Sequence, residues 1–187
     1  MLIDINDIKN GMTIILDGQI YQIVEFLHVK PGKGSAFMKM KLKNLRAGTT
    51  LEKTMQTNIK VEKANITRKT MQYLYSTGDA YNFMDMNTYE QVDLDGKQIE
   101  DESKYLKEGL EVELVYFNES ELIGLTLPEK IDYKVTSTSD AVKGNTSTNA
   151  LKDAELENGM TVKVPLFVNE GDEVIISTRD GKYVSRK

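Results

Sequence analysis

Lys30-Pro31-Gly32-Lys33-Gly34-Ser35 places a lysine between two glycines, directly after a proline, in a strand-rich region. Pro31 sets φ for the second position of a β-turn, and Gly32 is expected to take the positive φ that a type II turn needs next. Lys33 then falls just past the apex, with Gly34 relieving steric demand behind it. The flanking strands, ending near Val29 and resuming near Ala36, make the segment a hairpin tip that holds an ammonium group in solvent on a flexible stem. A phosphate-binding loop needs G-x-x-x-x-G-K-[ST] between a strand and a helix. Here position 27 is leucine, Gly34 follows the lysine and a strand comes next, so that chemistry is excluded. A Schiff-base lysine needs an apolar pocket to lower its pKa, and a glycine-flanked tip offers none. Two readings stand: an ordinary surface turn, or a cationic probe carried on a stiff hairpin into a space too narrow for a barrel.

Other reactive chemistry is scarce. The chain has no cysteine, which removes disulfides, thiolate metal sites and thiol catalysis. Its one histidine, His28, cannot build a multi-histidine metal site. The paired acids Asp101/Glu102 and Glu119/Glu121 have only the pattern of a charged surface. No enzyme, metal or cofactor is expected.

The net charge of -5 conceals an asymmetry. Residues 28–69 hold eleven Lys/Arg against two Asp/Glu, a balance of +9, which leaves -14 for the remainder. Such a split suggests that one part meets a polyanion. The alternative is a solvated, lysine-rich strand face that guards an edge against aggregation.

The elements that must carry the tip are strands. With 187 residues there is room for one large domain or two to three small ones. In "AFMKMKLKNL", lysines 39, 41 and 43 alternate with Met38, Met40 and Leu42, the period of a strand with one charged and one apolar face. Asp17-Gly18 between two apolar runs is a hairpin signal. Residues 1–64 therefore read as a small SH3-like barrel, and 65–127 as a five-stranded OB-type barrel. That second segment carries one short helix in "KQIEDESKYLKEG", with Ile99, Tyr105 and Leu106 inward and Gly109 as its stop. Residues 128–187 read as a further barrel, with the polar run 139–159 as a long loop. The expected fold is all-β: three small barrels in series. No stretch approaches the 18 apolar residues of a membrane span, and the acids in "MLIDINDIKNGM" argue against a signal peptide.

Four stretches carry a resemblance: "KPGKGSAF" at 30–37, "KLKNLRAG" at 41–48, "VPLFVNEGD" at 164–172 and "STRDGKYVSR" at 177–186. Together they resemble the bacterial translation elongation factor P family, related to the hypusine-bearing eukaryotic and archaeal initiation factor, and the likeness runs essentially end to end. It implies an SH3-like (KOW-like) domain at 1–64, a central OB domain at 65–127 and a C-terminal OB domain at 128–187. It also implies a cytoplasmic, monomeric, non-enzymatic factor with no membrane partner. The family binds the 70S ribosome and its rRNA between the peptidyl-tRNA and exit sites, and relieves stalling at consecutive prolines.

By residue-wise match, Lys33 is the lysine that reaches the acceptor end of the peptidyl-tRNA. In the family it is often lengthened by a post-translational adduct, which implies a lysine-modifying enzyme as a partner. Lys30, Pro31, Gly32, Gly34 and Ser35 match the tip loop. Lys39, Lys41, Lys43 and Arg46 are candidates for tRNA phosphate, with exposed structural cations as the other reading. Tyr183 and Arg186 match a pair near the small ribosomal subunit, although Tyr183 fits a core aromatic as well. Gly144-Asn145-Thr146 matches a loop usually written Gly-Asp-Thr that approaches the exit-site codon. Asn145 and the following "NALKDAE" depart from the usual pattern, which puts contacts from that loop in doubt. The alternative function is a general single-stranded nucleic-acid-binding OB protein, but its stacking aromatics would have to come from tyrosines that cluster in the acidic second segment.

Overall fold

The computed structural model describes residues 1–139 and 150–187, and in them three antiparallel sheets follow one another along the chain. The first comprises β1 (Leu2–Asp4), β2 (Thr13–Leu16), β3 (Gln19–Val29), β4 (Phe37–Asn44), β5 (Thr50–Gln56) and β6 (Lys60–Lys63), in the order β1-β6-β2-β3-β4-β5. Asp17 and Gly18 both take positive φ, 50° and 73°, so the β2–β3 turn is the two-residue type their sequence signals. The alternation in β4 holds: Met38, Met40 and Leu42 are buried with Ile5, Ile14, Ile23 and Val61, while Lys39 and Lys41 face outward.

The second sheet comprises β7 (Ile66–Thr77), β8 (Ala80–Asp85), β9 (Gln91–Asp95), β10 (Glu111–Phe117) and β11 (Glu121–Thr126), ordered β11-β10-β7-β8-β9. The third comprises β12 (Lys130–Thr138), β13 (Leu151–Leu156), β14 (Thr161–Pro165), β15 (Glu173–Ser177) and β16 (Tyr183–Arg186), ordered β14-β13-β12-β15-β16. Counted from each sheet's first strand, both orders read 5-4-1-2-3 from one edge or the other. The two units share a topology that no sequence repeat announces.

Two expectations need correction. The helix over 97–109 is two separate 3₁₀ turns, Gly96–Ile99 and Ser103–Tyr105. Ile99 and Leu106 enter the second core, whereas Tyr105 enters the third. One face of a continuous α-helix cannot serve two cores, and the side chains of Asp101 and Ser103 compete with helical backbone hydrogen bonding. The long loop over 139–159 contains β13, in which Lys152, Ala154 and Leu156 are buried and the residues between are exposed. The inward lysine hides the period-two signal.

The sheets are joined by packed seams. Ile20 and Ala64 of the first unit pack with Val115 and Ile123 of the second, flanked by Ile15, Leu45, Ile66 and Phe117. Gly48, at φ 75°, lies so close to the Lys97 carbonyl oxygen that an added Cβ would sit 2.5 Å from it. Between the second and third units, Leu110 and Leu127 border both cores.

Candidate functional site

The β3–β4 hairpin is the element that carries Lys33. From Phe37 to Lys43, β4 is paired on both sides, with β3 and with β5, so the finger is held to its last rung, Val29↔Phe37. A bulge between Ile23 and Glu25 shifts the β3 register, and beyond it residues 24–28 are exposed on both faces of the strand. Val24, Phe26 and Leu27 are among the exposed large apolar residues; sequence reasoning passed over them because the surrounding run resembles a core strand. Phe26, Leu27, Lys39 and Lys41 line an open groove of about 380 Å³ on this finger.

The tip spans 30–36, where Lys30 through Ser35 are all exposed. Its geometry differs from a Pro31-Gly32 type II turn: the positive φ is at Gly34, 103°, while Gly32 stays out of that region. The chain bends through Gly32, Lys33 and Gly34, with Lys33 at the centre. Among the described residues no ion pair engages Lys30, Lys33 or Lys41.

The other cations that spacing suggested for RNA divide. Lys39 lies outward, 3.6 Å from Glu52 on the neighbouring strand. Lys43 lies on the same face of β4 but at the seam, where the second unit covers it: Nζ is 3.3 Å from Oε1 of Glu102 and only 17% of the side chain is exposed. Arg46 donates from Nε and Nη2 to the two carboxylate oxygens of Glu121, at 2.8 and 2.9 Å. That hydrogen bonding holds the Glu121 carboxyl below its usual range and raises the Arg46 pKa. Lys43 and Arg46 are therefore paired with carboxylates of the second unit, whereas Lys39 and Lys41 lie beyond its cover.

In the third unit Tyr183 is half-buried against the core, with Val135, Val162 and Val174 among the residues of that cluster. Arg186 is exposed, and its Cζ lies 5.2 Å from the ring centroid of Phe167, an aromatic that sequence reasoning did not single out. Gly144, Asn145 and Thr146 lie outside the described residues. Among the described residues no group of three or more His, Asp or Glu side chains is placed to hold a metal ion, and no helix is long and apolar enough to cross a membrane.

Comparison with known proteins agrees with this architecture. Family models described as elongation factor P KOW-like domain, elongation factor P OB domain and elongation factor P C-terminal match residues 4–61, 66–125 and 131–186 in turn. The elongation factor P of Onion yellows phytoplasma (strain OY-M) is 50% identical over 185 residues, covering 99% of this chain and 98% of that one. That of Phytoplasma australiense is 49% identical over the same span, again covering 99% and 98%. Among solved structures, "Eukaryotic translation initiation factor 5A from Methanococcus jannaschii" is similar at a TM-score of 0.51 and 28% identity, over 68% of this chain and 92% of that one. These matches, on an all-β chain of a KOW-like unit and two further β units, define a translation factor. The three matches, which span nearly its whole length, show that it belongs to the elongation factor P family. It is a translation elongation factor.

Proposed function

We propose that this cytoplasmic, monomeric protein binds the 70S ribosome between the peptidyl-tRNA and exit sites and promotes peptide-bond formation at consecutive prolines. Residues 1–64, 65–127 and 128–187 act as three domains, the first presenting Lys33 to the acceptor end of the peptidyl-tRNA. The observation that carries this reading is an exposed lysine without an ion-pair partner among the described residues, at the end of a hairpin whose outgoing strand is paired on both sides.

The physical step is positioning. Proline restricts the chain and reacts poorly, so productive geometry at the ribosome's own catalytic centre is seldom reached. A cation and hydrogen-bond donor held against the backbone of the tRNA end removes unproductive poses, and orientation of this kind lowers a barrier without any base, nucleophile or metal on the factor. The protein is then no enzyme. Lys39 and Lys41 face the same tRNA along the finger, and an adduct added to Lys33 by a lysine-modifying enzyme lengthens the reach without widening the hairpin. A general single-strand binder is disfavoured, because the most exposed tyrosines, Tyr75 and Tyr89, stand in the acidic second unit and of the exposed phenylalanines and tyrosines only Phe26 lies on the basic finger.

The test is Lys33→Ala in reconstituted translation of a proline-run message. Slower synthesis through the prolines, with unchanged thermal unfolding and unchanged synthesis of a proline-free message, supports the assignment. Equal rates for both proteins on the proline run reject it. Mass spectrometry of the Lys33 peptide from the native host reads the adduct directly.

A further inference from the structure

We propose that Phe167 and Arg186 together form a stacking seat for one unpaired RNA base. This deepens the ribosome-binding reading above and rests on it. Phe167 lies in the turn after β14, where the Val168 N–H donates to the Pro165 carbonyl at 3.1 Å and the Val168 side chain is fully buried in the third core. Those two anchors fix the backbone on either side of Phe167, yet the residue is 56% exposed. Arg186, at the end of β16, lies over the Phe167 ring with Cζ 5.2 Å from the centroid. Asp172 steadies the arrangement: its Oδ2 is 3.6 Å from the Arg186 Nη1 and also accepts from the Asn169 N–H at 2.9 Å.

The chemistry favours a base over phosphate. Arg186 faces Asp172, Lys187 faces Asp132 and Glu173, and Lys163 faces Asp153, so the cations of this end are largely compensated. A compensated surface gives little purchase on a phosphate backbone. An exposed phenyl ring with a guanidinium across it offers the flat, polarisable platform on which unpaired bases stack. Tyr183, the aromatic that the family resemblance pairs with Arg186, is half-buried against the core, and Phe167 takes the exposed position beside the arginine.

The experiment uses the full-length protein and 70S ribosomes carrying peptidyl-tRNA stalled at a proline run. With p-benzoylphenylalanine at position 167, irradiation is expected to give a ribonuclease-sensitive crosslink to RNA. Phe167→Leu, which keeps an apolar side chain but removes the ring, is expected to weaken ribosome binding roughly 5- to 100-fold, by about the same factor at low and high salt, while Phe167→Tyr binds as the unaltered protein does. A crosslink solely to ribosomal protein, or Phe167→Leu binding within about twofold of the unaltered protein, overturns the seat. Lys33→Ala is run beside them: if it leaves proline-run synthesis unchanged while position 167 still crosslinks RNA, the tip assignment fails and the seat survives. Failure of the unaltered protein to bind ribosomes rejects both.

Discussion

Arg46 and Glu121 are joined by a two-pronged hydrogen bond, Nε to Oε1 at 2.8 Å and Nη2 to Oε2 at 2.9 Å, across the seam between the first two units. Nη1 also reaches the Gly18 carbonyl at 3.2 Å, and the guanidinium sits 5.9 Å from the Phe117 ring centroid at the border of the apolar seam. A cation that spacing offered to RNA therefore acts as a bolt between units, and Lys43 beside it does the same with Glu102. The direction in which the finger points is set from its base.

Removing the bolt is expected to cost stability. Because the two side chains are 37% and 41% exposed, solvent screening holds the contribution of the pair to about 0.5–1 kcal/mol. For a chain of this size Arg46→Ala should lower the unfolding midpoint by about 1–4 °C. Arg46→Lys should lose nearly as much, since an ammonium cannot bridge both oxygens in the planar fork that arginine offers. A double-mutant cycle with Glu121→Gln, read by calorimetry, should show the two changes to be non-additive. Additive effects would mean that the bond contributes nothing.

The same pair gives stability a pH dependence with a definite sign. Arg46 holds the folded-state pKa of Glu121 below its ordinary value of 4.5, so the folded state binds fewer protons than the unfolded one. Its contribution is present above about pH 4.5 and is lost as pH falls through the lowered folded value. Asp132, held down chiefly by its hydrogen bond from Lys187, adds a loss of the same sign. Denaturant unfolding of the protein and of Glu121→Gln from pH 6 to pH 3 isolates the first term. The gap between the two curves should close toward the acid end, and a constant gap would contradict the assignment.

How far the sequence reaches depends on whether a signal is local. The β4 alternation and the Asp17-Gly18 turn depend on neighbours in the chain, and both appear as read. The positive φ at Gly34 was not separable from Gly32, since two glycines flank Lys33 and only the closing geometry of the hairpin decides between them. The β13 strand was obscured because Lys152, nominally a surface residue, occupies an inward position. Arg46 and Lys43 read as outward cations in the sequence because their carboxylate partners lie 75 and 59 residues away in the chain. Phe167 carries no pattern in the sequence, and only the fold brings Arg186 over it.

Tyr105 provides a test of how the third unit is held. It leaves the second unit's 3₁₀ turn to sit 4% exposed in the third core, and its carbonyl accepts from the hydroxyl of Tyr133. Burial pushes the Tyr133 phenol well above its ordinary pKa, so it donates throughout the accessible pH range. Tyr105→Ala should cost about 3–5 kcal/mol, as deletions of large buried aromatics do. Tyr133→Phe, which leaves the Tyr105 carbonyl unpaired, should cost about 1–3 kcal/mol. If the third unit unfolds separately, calorimetry of Tyr105→Ala should split one transition into two, the lower one belonging to residues 128–187. A single transition at an unchanged midpoint would show that the plug is dispensable.

The two glycines of the tip separate backbone geometry from space. A Cβ added at Gly32 or at Gly34 would meet nothing within 4 Å, so crowding distinguishes neither. Their conformations do: Gly34 has φ 103°, where a side-chain-bearing residue carries roughly 1–3 kcal/mol of strain, and Gly32 does not share it. An exposed loop relieves such strain by moving, so Gly34→Ala should shift the unfolding midpoint little but displace Lys33 from the axis of the finger. The expected result is a proline-run synthesis rate for Gly34→Ala that falls toward that of Lys33→Ala, with Gly32→Ala close to the unaltered protein. The measurement is the rate through the proline run at saturating factor, where weaker binding no longer contributes. Equal rates for the two glycine variants would mean that the positive φ at Gly34 does not aim Lys33.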